Sequence, residues 1–157
     1  MKKQNMNDKG FSLVELIIVI AIMAILIVVL APQYLKYVER SRNSTDMQNA
    51  RTMMTAIETY AADPQVTGTN AFAGGDKFAL EVANTGTLVT GGAAAKATAA
   101  LTDAALVPTD IKCSSRTKWS AYKIEGEILS NGSVKWGFSS TDSDGGNNFE
   151  NAMKGNS

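Results

Sequence analysis

Residues 9–20 read KGFSLVELIIVI, which sets a carboxylic acid, Glu15, at the entrance of an apolar run. From Leu16 to Ala31 sixteen residues pass without a charge or a conventional polar group, and Phe11 to Val14 extend the run toward the amino end. As a helix rising about 1.5 Å per residue, Phe11 to Leu30 covers roughly 30 Å, the thickness of a hydrocarbon core. The segment can span a membrane. A secretory signal fits less well, because the run exceeds an h-region of about 7 to 15 residues, Glu15 interrupts its entrance and Pro32 follows the small-residue exit. A plain single-pass anchor fits the length and leaves Glu15 unexplained.

An ionisable group at the centre of a membrane helix costs about 2.5 kcal/mol or more, and less near the interface, so a partner or a function is the default expectation. The positions three and four residues from Glu15 are Ser12, Phe11, Ile18 and Val19, none of them basic. A compensating charge is therefore expected from outside the local helix. A cut between Gly10 and Phe11 would create one: the new amine of one copy could pair with Glu15 of its neighbour, neutralising both inside an apolar assembly.

Beyond Pro32 the pattern stays helical but becomes amphipathic. Tyr34, Tyr37, Val38, Met47, Ala50, Met54, Ile57 and Ala61 recur at spacings of three and four, with Glu39, Arg40, Arg42, Asp46 and Arg51 between them. A continuous helix from about Ser12 to Ala62 would run some 75 Å, one half packing on other copies and the other covering a globular head. Pro32 removes an amide donor and predicts a kink, the alternative being a break with an independent second helix. Asp63-Pro64 closes the helix, and the stretch to Gly75 reads as a loop. After Gly91-Gly92, AAAKATAALTDAAL reads as a short helix ending before Pro108, or as a low-complexity surface loop.

Trp119 to Leu129 and Ser133 to Ser139 read as a hairpin. A two-residue turn at Asn131-Gly132 would split the apolar residues between faces. A three-residue loop, Ser130-Asn131-Gly132 with Gly132 left-handed, sets Ile128 against Val134, Gly126 against Trp136 and Ile124 against Phe138 on one face, and Glu127 against Lys135 on the other. That register is the expected one, with Trp136 covering Gly126. A further strand is expected from Lys77 to Val82 or Thr87 to Thr90. The fold class is α+β: a long helix packed on a small antiparallel sheet.

The chain has 157 residues, 45% of them hydrophobic, room for one domain. Fifteen basic and fifteen acidic residues cancel, so no dedicated nucleic-acid binder is expected. With no His and a single cysteine, Cys113, neither a His-based triad nor an internal disulfide is available, and no enzyme and no cofactor are expected. Cys113 reads as a buried free thiol, with pairing between subunits as the alternative. Asp142, Asp144 and Gly145 resemble part of a calcium loop, but its first and twelfth positions would be Ser140 and Asn151, so a solvated turn is preferred. Asn43-Ser44-Thr45 and Asn131-Gly132-Ser133 match the N-glycosylation pattern, a match common by chance.

A short basic leader ending in Gly10, then Phe11, then SLVE with Glu15, then the apolar run with Pro32 at its end, resembles the type IV pilins and their pseudopilin relatives. The likeness covers about the first fifty residues. It implies a leader, residues 1–10, removed by a prepilin peptidase, with methylation of the new amino terminus at Phe11. It further implies a membrane and filament-core helix over residues 11–32 and a head over residues 33–157. The implied function is a structural subunit of a surface pilus for adhesion, motility or biofilm formation, with assembly through Glu15. Self-assembly would involve an assembly ATPase and a membrane platform, the chain passing from the cytoplasmic membrane, as a single-pass precursor, to the extracellular pilus. A pseudopilin of a secretion or DNA-uptake machine and a membrane-anchored binding module are the alternatives. Many members close their carboxy-terminal region with a disulfide, which this chain cannot do, making it more similar to disulfide-free pilins of some Gram-positive bacteria.

Overall fold

A computed structural model describes residues 11–142 and 144–155. The chain divides into two compact units, one ending at Val38 and one from Glu39 onward. A single helix, α1 (Leu13–Ala62), contributes to both and continues through Pro32 rather than breaking there. Its end is set by Asp63, whose side chain accepts the Gln65 amide at 2.8 Å in a local turn.

In the first unit the described residues up to Tyr37 are all exposed. The second unit holds the core. Strands β1 (Lys77–Ala83), β2 (Gly86–Thr90), β3 (Trp119–Ile128) and β4 (Val134–Asp142) form one antiparallel sheet in the order β2-β1-β3-β4. Both expected candidates for the further strand are therefore strands, paired with each other as well. Helix α2 (Ala94–Asp103) replaces the surface-loop alternative, burying Ala97, Ala100 and Leu101. A third helix, α3 (Asn148–Lys154), follows the sheet.

The hairpin register is the three-residue one: Ile128 opposite Val134, Gly126 opposite Trp136, Ile124 opposite Phe138 and Glu127 opposite Lys135. The Gly132 amide donates to the Leu129 carbonyl at 2.9 Å, with Gly132 at φ +82°, the left-handed position that this loop needs. One detail differs. Gly126 is covered by Phe78, which sits opposite it on β1; a Cβ there would lie 2.2 Å from the ring. Trp136 packs edge-on against Phe78, ring centres 5.8 Å apart, and sends its indole N–H to Glu58 at 2.7 Å. The glycine makes room for the neighbouring strand's aromatic rather than for the one across the hairpin.

Ala50, Met53 and Ile57 of α1 meet Leu80, Val82, Leu101, Tyr122, Ile124 and Phe149 in one hydrophobic core. The helix stripe that faces this core differs from the apolar reading. Tyr34 and Tyr37 are exposed, Met53 takes the central place instead of Met54, and the stripe continues through two polar residues, Asn43 and Asp46, both buried.

Candidate functional site

At the start of α1, Ser12 precedes the first helical residue and Glu15 occupies the third helical position, the spacing of a capping box. The Ser12 amide donates to Glu15 Oε2 at 2.8 Å. One otherwise unpaired donor of the first turn is thereby satisfied, and the acid sits at the positive end of the helix dipole. Glu15 thus has a local partner, a backbone amide, which a search for opposite charge overlooks. Phe11 beside it is 92% exposed. Gly10 lies outside the described residues, so only one side of the expected cut is in view.

From Phe11 to Leu30, sixteen large apolar side chains are exposed by about half or more. Fully burying such a side chain is worth about 1.5 to 3 kcal/mol, so wetting all of them would cost on the order of tens of kcal/mol. A helix of this length and hydropathy can cross a membrane. Burial must come from lipid or from other chains.

Two carboxyl groups seven positions apart on α1 form a second constellation, within the carboxy-terminal unit. Asp46 is fully buried. Its Oδ1 accepts the Ser114 amide at 2.7 Å; its Oδ2 accepts the Ser115 amide at 2.9 Å and the Trp119 indole N–H at 2.9 Å, with the Cys113 thiol at 3.5 Å. Two helical turns earlier, Glu39 Oε1 accepts the Ser115 hydroxyl and the Arg116 amide at 2.8 Å and the Thr117 amide at 2.9 Å. Arg42 pairs with its other oxygen at 3.5 Å. Burial alone would push the Glu39 carboxyl up, but the Arg116 and Thr117 amides and the Ser115 hydroxyl outweigh it and hold it at about 2 instead of 4.5. Apart from the Trp119 indole, which is on β3, these donors belong to the irregular segment before that strand, and the two acids accept from its Ser114, Ser115, Arg116 and Thr117 amides. Glu39 and Asp46, placed in the sequence between the apolar positions, were not singled out; the signal that could have found them is their shared spacing of seven, in phase with Ala50, Met53 and Ile57.

The family model of the prokaryotic N-terminal methylation motif matches residues 5–31. The amino-terminal segment of this chain is similar to that of type IV pilins. Among similar proteins are two forms of the type IV major fimbrial protein FimA of Dichelobacter nodosus. One is 46% identical over 61 residues, 39% of this chain and 39% of that protein; the other is 48% identical over 56 residues, 36% of each. The type IV major pilin protein PilA of Myxococcus xanthus (strain DK1622) is 34% identical over 59 residues, 38% of this chain and 27% of that protein. The matches thus span less than two fifths of these relatives' length. No solved structure matches the chain significantly. The matched methylation motif contains Gly10, Phe11 and Glu15 and ends before Pro32.

The remaining candidates lie beyond the matched motif. Asp142 accepts the Asn148 amide at 2.6 Å, and Asp144 accepts the Gly146 amide at 3.0 Å and the Asn148 side-chain amide at 3.1 Å. Residues 144–146 form the expected turn, and the two acids organise the start of α3, to which the sequence reading assigned no element. Among the described residues no group of three or more His, Cys, Asp or Glu is placed to hold a metal ion. Cys113 is a free, buried thiol pushed up to about 12, by burial first and by the neighbouring Asp46 second. Of the two Asn-x-Ser/Thr matches, Asn43 is buried on α1, whereas Asn131 is exposed at the hairpin tip.

Proposed function

We propose that this chain is the structural subunit of a type IV pilus. The observation that carries the reading is the pairing of the methylation motif with a helix that, apart from Glu15, offers only apolar side chains up to Ala31 and whose second half contributes to a folded core. The leader, residues 1–10, holds the precursor until a prepilin peptidase cuts between Gly10 and Phe11, and Phe11 is then methylated. The span over residues 11–32 keeps the precursor in the membrane, and residues 33–157 form the head. Moving the helix from lipid into a filament changes little in hydrophobic energy, because lipid tails are as apolar as Leu; close packing and polar pairing decide the gain. Glu15 provides the polar pairing, exchanging or sharing its Ser12 amide for the protonated Phe11 amine of an adjacent subunit. Pro32 eases bending of the helix as subunits pack. An assembly ATPase and a membrane platform drive extraction, and the pilus lies on the cell surface.

Mass spectrometry of the native protein tests the processing step: a mature chain beginning at methylated Phe11 is expected, and an intact leader would overturn the reading. Electron microscopy of the producing cells tests the product. Long surface filaments that bind antibody against this chain are expected; processed chain without such filaments would point to a short pseudopilus instead.

A further inference from the structure

Asn131-Gly132 sits at the tip of the β3–β4 hairpin, where residues 130–133 are all exposed. It is the chain's one Asn-Gly pair. The Asn131 side chain is held there: its Oδ1 accepts the Ser133 amide at 3.0 Å and the Ser133 hydroxyl at 2.7 Å. Two donors on one amide oxygen draw electron density from its carbon. They also stand where negative charge would develop if a nucleophile attacked that carbon, the arrangement that stabilises tetrahedral intermediates in acyl transfer. The nearest backbone nucleophile is the nitrogen of the next residue, and that residue is a glycine with no Cβ to obstruct the approach.

We propose that Asn131 is a site of spontaneous deamidation, assisted by Ser133. The Gly132 nitrogen attacks the Asn131 side-chain amide carbon, forming a carbon–nitrogen bond and a five-membered imide. The Gly132 proton passes to the leaving nitrogen, which departs as ammonia. Water then opens the imide at either carbonyl, giving aspartate or its isomer in which the backbone runs through the side-chain carbon. The net change is amide plus water to acid plus ammonia, with no oxidant or enzyme. Before attack, the tip must open locally, because the Gly132 amide donates to the Leu129 carbonyl at 2.9 Å. Loop tips lie at the low end of local stability, so that opening is a small barrier. The product adds a negative charge to a chain whose formal charge is zero. The isomer also adds a backbone carbon to a loop whose length sets the strand register.

The test is to hold the full-length protein in detergent micelles at mildly alkaline pH in isotopically heavy water and map its peptides by mass spectrometry over days. Asn131 is expected to convert faster than Asn70, Asn84 and every other asparagine, taking up one oxygen from water and giving both acid isomers. Gly132→Ala is expected to slow it more than tenfold, at roughly the scale of a strained left-handed position. Ser133→Ala, which keeps the amide donor and removes the hydroxyl, is expected to slow it by about fivefold, short of the loss of a full oxyanion donor in an enzyme. Conversion of Asn131 no faster than Asn84, or a rate unmoved by Ser133→Ala while Gly132→Ala still slows it, would overturn the assisted mechanism. A glycan found on Asn131 in the native protein would overturn it too, since the amide nitrogen would then be blocked.

Discussion

Asp46 shows how much one side chain can organise. Its two oxygens serve the Ser114 and Ser115 amides and the Trp119 indole in a fully buried setting. Replacing one oxygen by an amide group turns an acceptor into a donor that faces other donors. Asp46→Asn is therefore expected to destabilise the chain by about 1 to 3 kcal/mol, read as a lower urea midpoint with an unchanged slope. Glu39 makes a pH-dependent contribution whose sign follows from its lowered pKa. The unfolded chain takes up the proton near 4.5 and the folded chain only near 2, so acid favours unfolding. That contribution is complete above about pH 4.5 and disappears as pH falls toward about 2. Thermal melts of the wild type and Glu39→Gln across this window check it: the difference between them is expected to shrink as the pH is lowered. Neither role was legible in the sequence, where an acid between apolar residues reads as a solvated one. The spacing of seven puts both acids in phase with the core stripe, but what they bind depends on donors almost seventy residues or more away.

At the scale of elements, the hairpin was legible because a slip of one residue would turn Ile124, Ile128 and Trp136 to the wrong face. Alternation and the glycine-ended loop gave the same answer. What covers Gly126 was not legible, since β1 had no assigned place in the sheet and Phe78 could not be set opposite it. The observed contact makes the glycine a packing requirement. Gly126→Ala would drive a methyl group into the Phe78 ring, which already packs against the rings of Phe72 and Trp136. It is expected to cost about 1 to 3 kcal/mol, measurable by calorimetry, and Phe78→Leu in the same chain should restore part of the loss. Helix α3 escaped sequence reading for a different reason. Seven residues are too few for a periodic signal, and its placement depends on one residue, Phe149, stacked on Tyr122 at 4.2 Å.

For the whole molecule, the amino-terminal half of α1 was the most legible part, because a long apolar run with a motif at its entrance needs no tertiary context. The candidate site was half legible: charge and spacing marked Glu15, whereas its bond to the Ser12 amide came from the capping geometry. Two separable jobs are predicted for that segment. Glu15→Ala is expected to leave cleavage after Gly10 largely intact and to reduce filament yield at least tenfold, as loss of a pairing worth about 1.4 kcal/mol or more would do. Immunoblots of processed chain beside sheared-filament yield check it, and normal filament yield would count against Glu15 as the docking group. The unbroken helix and the two acids that tie it to residues 114–119 also bear on mechanical load. Within the carboxy-terminal unit α1 is fastened at Glu39 and, about 10 Å further along the axis, at Asp46, so a pull on this part of the helix would load both places. At each of them three hydrogen bonds to residues 114–119 share the attachment.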